Sequence, residues 1–348
     1  MRKNFQAFAK LISGLFFLVC LSSCKKDSIP LGVPLHPYTG SLKFEFLPGS
    51  IEKIFSAQMP WESKALNYYN VVKKDTTLSM WYNAFASNQT DFNGSFCFAD
   101  SKNGDNWSRP VINNSTNILL SGDNSTGIAG TFVFIDEDDH QYPYKMLCTK
   151  LVNGEQKTFL YSSDDGIKWK VEKKLYDVKQ DTQFGVVTFN GLYYIFSRYN
   201  DFSQGYQRAI GLSILDKNLN SVQPPMLLLK AAINSPFPHI YNNAASKIND
   251  TTILLLPTYF NEEQNTICIK MICTNNIRDY YLVNDDIADI LFPNKNVNWG
   301  TVSPGVIPAD EKDTYWVYYS GTDARHSGFA YLPKINVTYY RIKLVVHQ

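Results

Sequence analysis

LYSSDDGIKW, residues Leu160–Trp169, sets two adjacent acids between β-forming residues, and the reading of those acids decides the fold. They are either chemistry or the corner of a turn. Ser162, Asp164, Gly166 and Trp169 fit the spacing SxDxGxxW, and about 62 residues earlier Gly104 and Trp107 repeat its second half within FADSKNGDNW. In that earlier copy Asp100 and Lys102 stand where Ser and Asp are expected. An Asp side chain can accept backbone N–H bonds across a tight turn, Gly takes the positive φ, and Trp packs beneath the sheet. A recurring acid–glycine–tryptophan spacing therefore reads as architecture.

Repetition extends to longer segments. The aromatic-rich runs LSMWYNAF, YPYKMLCT, LYYIFSRY, TILLLPTY and TYWVYYSG return roughly every 50 to 65 residues. Each follows another β-type segment: ALNYYNVV, GTFVFIDE, FGVVTFN, YNNAASKI and VSPGVIPA. SFCFADS, KTFLYSS and TICIKMIC supply a third strand to three of the five. Only DDIADILF, near Asp285, has a helical look. Units of about 60 residues with four strands each are the size of propeller blades. The expectation is an all-β chain, a five-bladed β-propeller of four-stranded antiparallel blades, with a two-domain β-sandwich as the competitor. The opening turn resembles the Asp box of sialidases and other propellers.

The chain begins MRKNFQAFAK, a positive start, followed by LISGLFFLVCLSSC, an apolar run ending in small residues. That run is short of the ~20 apolar residues a membrane span needs. It resembles a bacterial lipoprotein signal with Leu21, Ser22, Ser23 and Cys24 as the lipobox, so residues 1–24 are expected to be a signal ending at a lipidated Cys24. Pro30, Pro34 and Pro37 mark residues 25–39 as an extended tether, leaving residues 40–348 as a single propeller domain. Location outside the cytoplasm is expected, on a bacterial outer membrane and facing either periplasm or exterior, with membrane contact through the lipid alone. Cys97, Cys148, Cys268 and Cys273 lack a CxxC or zinc spacing and read as buried strand residues, with one disulfide permitted by the compartment. With 33 basic against 32 acidic residues the chain lacks the charge excess of a nucleic-acid groove. A monomeric domain is expected.

PWESKALNYYNVV, FVFIDEDDHQYPYKML, QDTQFGVVTFNGLYYIFSRY, QRAIG and YWVYYSGTDARHSG, together with the runs above, resemble the five-bladed propeller glycosidases of glycoside hydrolase families 32, 43 and 68. The likeness spans about Met59 to Gly328. It implies a glycan partner and paired carboxylates. One departure stands out: PWES occupies the place of the family-32 segment in which Asp follows Trp, Met and Asn, which puts that family's usual nucleophile in doubt.

In a propeller the first strand of each blade lines the channel and the second runs back, so residues before strand one and after strand two share a rim. Glu62 and Asp181 precede strand one of the first and third blades and are the expected catalytic pair, a protonated acid and an ionised partner. Arg198, Asn83, Tyr241, Tyr259, Asp323 and His326 are the expected substrate-binding residues, with Trp61 or Trp299 to stack on a sugar ring. Asp136 to Asp139, like the opening turn, fall on the far rim. No cofactor is expected; a channel calcium would follow the resemblance, but no acidic loop of calcium spacing supports it. The expectation is a lipid-anchored glycosidase. Competing readings are a non-catalytic glycan-binding propeller and, more weakly, a sialidase using Arg198, Arg208 and Arg325.

Overall fold

Side chains that alternate across a strand can feed two cores at once, and TLSMWYNAF shows how this chain uses that. Leu78, Met80, Tyr82 and Ala84 pack into one apolar cluster, while Trp81 between them packs into another. Such a strand is buried on both faces, so it reads as a continuous apolar run. Phe132 and Phe134 likewise enter one cluster while Val133 enters its neighbour. Sheets buried on both faces must stack, and five of them close a ring.

The structure is a computed structural model that describes residues 32–89, 93–121, 127–294 and 297–347. The signal and Cys24 lie outside the described residues, as do residues 25–31 of the expected tether. Blade I comprises Ala65–Lys74, Thr77–Phe85, Ser95–Ser101 and Ile118–Leu120; blade II Ile128–Ile135, Tyr144–Val152, Glu155–Ser163 and Lys170–Tyr176. Blade III comprises Gly185–Phe189, Leu192–Asp201, Gln207–Leu215 and Ser221–Leu229. Blade IV runs His239–Asn249, Thr252–Asn261, a third strand in two pieces (Thr266–Ile269 and Met271–Thr274) and Tyr280–Asn284. Strand neighbours within each blade are antiparallel. The fold is a five-bladed β-propeller, as expected.

Blade V departs from simple repetition. Its inner strand is split into Trp299–Val302 and Ile307–Pro308, followed by Thr314–Thr322 and Val337–His347, and its outer strand is Lys43–Ser56 from the other end of the chain. The two ends thus pair to close the ring. Arg341 of the C-terminal strand reinforces the seam, donating from Nε to Glu52 at 2.7 Å and from Nη1 to the Asn103 carbonyl of blade I at 2.9 Å. Tyr339 stacks on Tyr69 of blade I with centroids 3.7 Å apart. The expected tether also needs correcting: Leu35–Pro37 forms a parallel edge strand on blade IV, and Val33 N–H donates to the Leu228 carbonyl. Their apolar and backbone groups find partners there, so the fold begins before Gly40.

The opening turn is structural, with its register shifted by one residue. Ser163 Oγ accepts the N–H groups of Asp165 and Gly166, and Asp165 accepts those of Ile167 and Lys168 at 2.8 Å each. Ser162 is paired within the sheet instead. Ser101, Asn103 and Gly104 repeat this in blade I. Thr274, Asn276 and Ile277 repeat it again in blade IV, where Ile277 takes the left-handed φ of 63° that glycine takes elsewhere. The expected helix appears as Ala288–Leu291, and the four cysteines are free and buried.

Candidate functional site

Strand-one starts and strand-two ends converge on one rim and enclose a cavity of about 220 Å³. Blade I contributes Asn67, Tyr68 and Asn83, blade IV Tyr241 and Glu262, and blade V Trp299 and His326, with Asp181 entering just ahead of blade III. Tyr241 stands at the centre. Its ring meets Trp299 edge-on at 4.5 Å and His326 at 4.8 Å, and its hydroxyl accepts a bond from Tyr68 at 3.3 Å.

Two arginine–carboxylate pairs flank that tyrosine. Arg198 Nη1 lies 2.8 Å from Asp181, its Nη2 donates to the Tyr241 carbonyl at 3.0 Å, and its guanidinium sits 4.8 Å from the Tyr241 ring centroid. The Arg198 side chain is 4% exposed and that of Asp181 46%, so a buried cation holds a carboxylate that faces solvent. Arg208 lies 3.6 Å from Glu262 and 5.8 Å from the same ring centroid.

Protonation follows from burial. The imidazole of His326 is pushed down to about 4, chiefly by desolvation and further by Arg208 and Arg198, so it is neutral at physiological pH. Burial raises the Tyr241 phenol, with Arg198 opposing, and raises that of Tyr68 well above its ordinary value. These three groups are hydrogen-bonding partners rather than proton carriers at neutral pH. Asn83 Oδ1 accepts from Thr131 at 2.8 Å, yet its buried Nδ2 has no partner, and neither has Arg198 Nε. Unpaired buried donors beside a cavity suit a ligand rich in hydroxyls.

Of the expected site residues, Asp181, Asn83, Tyr241 and His326 line this cavity, and Arg198 stands behind Asp181. Glu62 does not. The 3₁₀ turn Pro60–Glu62 folds its carboxylate inward, where Tyr82 donates at 2.7 Å, Arg109 Nε at 2.8 Å, and the N–H groups of Gln58 and Met59 at 2.7 and 3.1 Å. Completely buried and with both oxygens engaged, it anchors the entry to blade I. The pairing of Glu62 with Asp181 across a scissile bond therefore fails. Tyr259 is buried away from the cavity lining, beside Cys268, and Asp323 lines a separate depression with Phe292 and Tyr340. Trp61 packs into the core and donates to Asn117, leaving Trp299 as the ring at the cavity. Asp136 accepts from the buried Tyr193 hydroxyl and Asp139 pairs with Lys145, both away from the cavity.

Sequence reasoning missed Glu262 although its own rule reaches it. The second strand of blade IV runs to Asn261, two residues beyond Tyr259, and the next residue is the carboxylate. Asn67 and Tyr68 were hidden in a run that reads only as strand.

No protein-family model matches this chain, and no curated protein matches it. Solved structures do. A thermostable family-43 glycoside hydrolase superposes with a TM-score of 0.60 at 13% identity, covering 81% of this chain and 93% of that one. A glycosyl hydrolase from Bacteroides ovatus gives 0.53 at 11% identity, covering 89% and 94%. A third structure, from the GH130 family of mannoside phosphorylases, which contains glycoside hydrolases that target β-1,2-mannosidic linkages in Candida mannan, gives 0.56 at 12% identity, covering 89% and 96%. At such identities the likeness is one of fold, a propeller used by glycoside hydrolases.

Proposed function

We propose that this chain is a glycoside hydrolase-like protein that seats a glycan in the rim cavity, with Asp181 and Glu262 as its paired carboxylates. The observation that carries the proposal is that two acids from separate parts of the ring, each beside an arginine, line one cavity with an aromatic platform and an unpaired amide donor on Asn83. Asp181, held at 2.8 Å by Arg198, is the ionised partner that serves water or the anomeric carbon; Glu262, whose arginine stands farther off at 3.6 Å, is the one left to donate a proton to the leaving oxygen. Trp299 stacks on a sugar face, while Asn83, Tyr241 and neutral His326 bind hydroxyls. Turnover of arabino-, xylo-, manno- and fructo-oligosaccharides, followed by released reducing ends, tests this reading. Asp181→Asn and Glu262→Gln are each expected to lower kcat/KM on any substrate cleaved by about 10²–10⁴-fold; full activity in both variants removes the mechanism.

A second reading is glycan binding without turnover. It is favoured by the first-strand residues at the cavity, Asn67, Tyr68, Ala129, Tyr241 and Trp299, none of them an acid, and by both cavity acids being arginine-paired. Saturable binding on the same panel with no product selects it. The sialidase reading has little support, since Arg325 is exposed and absent from the lining.

The same proposal places the domain outside the cytoplasm, monomeric and anchored by a lipid on Cys24. Radiolabelled palmitate should enter the wild type and not Cys24→Ala, and the variant should leave the membrane fraction; equal labelling of both contradicts the anchor.

A further inference from the structure

The hairpin joining strands two and three of blade III carries aromatic rings where a loop tip normally carries polar residues. Phe202 is 70% exposed and Tyr206 47%, with ring centroids 5.5 Å apart and planes tilted by 33°. Their position is held. Asp201 accepts the Ser203 N–H at 3.0 Å and pairs with Lys230 at 2.9 Å, and Gly205 turns the chain with a φ of +99°. The hairpin starts three residues after Arg198, on the same rim as the cavity.

A continuous polar path joins these rings to the cavity. Arg208 Nε donates to the Tyr206 hydroxyl at 3.3 Å, which in turn donates to Asn200 at 3.3 Å. The buried Nη1 of the same guanidinium faces Glu262 in the cavity wall at 3.6 Å, an ion pair too long to be a hydrogen bond. A protein partner would need a contiguous core within roughly 800 Å² per side. Two rings interleaved with amide, hydroxyl and guanidinium groups match a sugar instead, whose C–H face packs on the negative face of an aromatic ring while its hydroxyls reach the polar edge.

We infer that Phe202 and Tyr206 form an outer subsite for a further sugar ring of a glycan whose end occupies the cavity, so that the protein selects oligosaccharides over short saccharides. This rests on the glycan-binding reading above. It assigns Arg208 the place between the two sugars, its Nη1 turning from the long Glu262 contact to donate to the linkage region.

The test is calorimetric binding to the Asp181→Asn protein, using arabino-, xylo-, manno- and fructo-oligosaccharide series from the disaccharide to the hexasaccharide. The hexasaccharide of the series that binds is expected to bind at least tenfold more tightly than its disaccharide. Phe202→Ala combined with Tyr206→Ala is expected to reduce that ratio by about tenfold, with a thermal midpoint near that of its parent because neither ring is buried. A ratio near one in the parent, or an unchanged ratio in the double variant, overturns the outer subsite while leaving the cavity reading intact. Failure of every series to bind, in the wild type as well, overturns the cavity reading and the subsite with it.

Discussion

Two carboxylates that look alike in sequence do opposite work here, and their surroundings decide which. Glu62 is enclosed with Arg109 and Tyr82, and replacing it leaves a buried guanidinium without its counter-charge, a loss of about 3–5 kcal/mol. Asp181→Asn also leaves a buried guanidinium, Arg198, without its counter-charge, but Asp181 is nearly half exposed and water at the cavity mouth screens that charge, so the cost is smaller. Urea unfolding should therefore show a larger fall in midpoint for Glu62→Gln than for Asp181→Asn, while any glycan turnover shows the reverse order. His326 adds a pH dependence whose sign is fixed. Its folded pKa, about 4, lies below the ordinary 6.5, so the unfolded chain takes up a proton that the folded chain refuses. Its contribution is fully present above about 6.5 and is lost as pH falls toward 4. Urea titrations between pH 7 and pH 4 should show that loss reduced in His326→Gln by about 1–3 kcal/mol; an unchanged slope argues against a buried neutral imidazole. Asp181 and Arg198 were legible because they flank strands whose ends the aromatic runs mark. Glu62 misled because its 3₁₀ turn reverses the side chain's direction, which residue order does not reveal.

The recurring turn was visible at the level of the element, though its register was not. The sequence match placed the hydrogen-bonding pair at Ser162 and Asp164, while the sheet extends to Ser163 and hands the turn to Ser163 and Asp165. A third copy escaped notice because Thr274, Asn276, Ile277 and Tyr280 replace Ser, Asp, Gly and Trp, each keeping the physical role with a different side chain. Gly166 sits at φ +75°, and a Cβ there would meet Trp81 of blade I at 2.9 Å, the ring whose indole N–H donates to the Gly166 carbonyl. Gly166→Ala should cost roughly 1–3 kcal/mol through strain and displacement of that indole. Trp fluorescence monitored through urea unfolding checks it, and a midpoint equal to the wild type's would count against the turn's role in joining blades I and II.

Across the whole molecule, closure of the ring is what brings residues distant in sequence to one mouth. Five blades were countable from the aromatic runs, because strands buried on both faces leave continuous apolar segments. The seam was not, since pairing between Lys43–Ser56 and Val337–His347 leaves no local signature beyond two more β-type segments. Deleting residues 1–56 should leave blade V with an unpaired edge along Val337–His347 and Arg341 without Glu52, and such a chain is expected to be aggregated or unfolded by gel filtration and circular dichroism. Recovery of a monomeric, cooperatively unfolding chain after that deletion would contradict the closure. The central claim, that the mouth built by this ring is where a glycan sits, is tested most directly by a crystal structure of the Asp181→Asn protein with an oligosaccharide that it binds. Density for a sugar ring within hydrogen-bond reach of Asn83 and Tyr241, packed on Trp299, is the predicted result; a sugar bound only on the far rim or the outer strands, with the cavity empty, would contradict it.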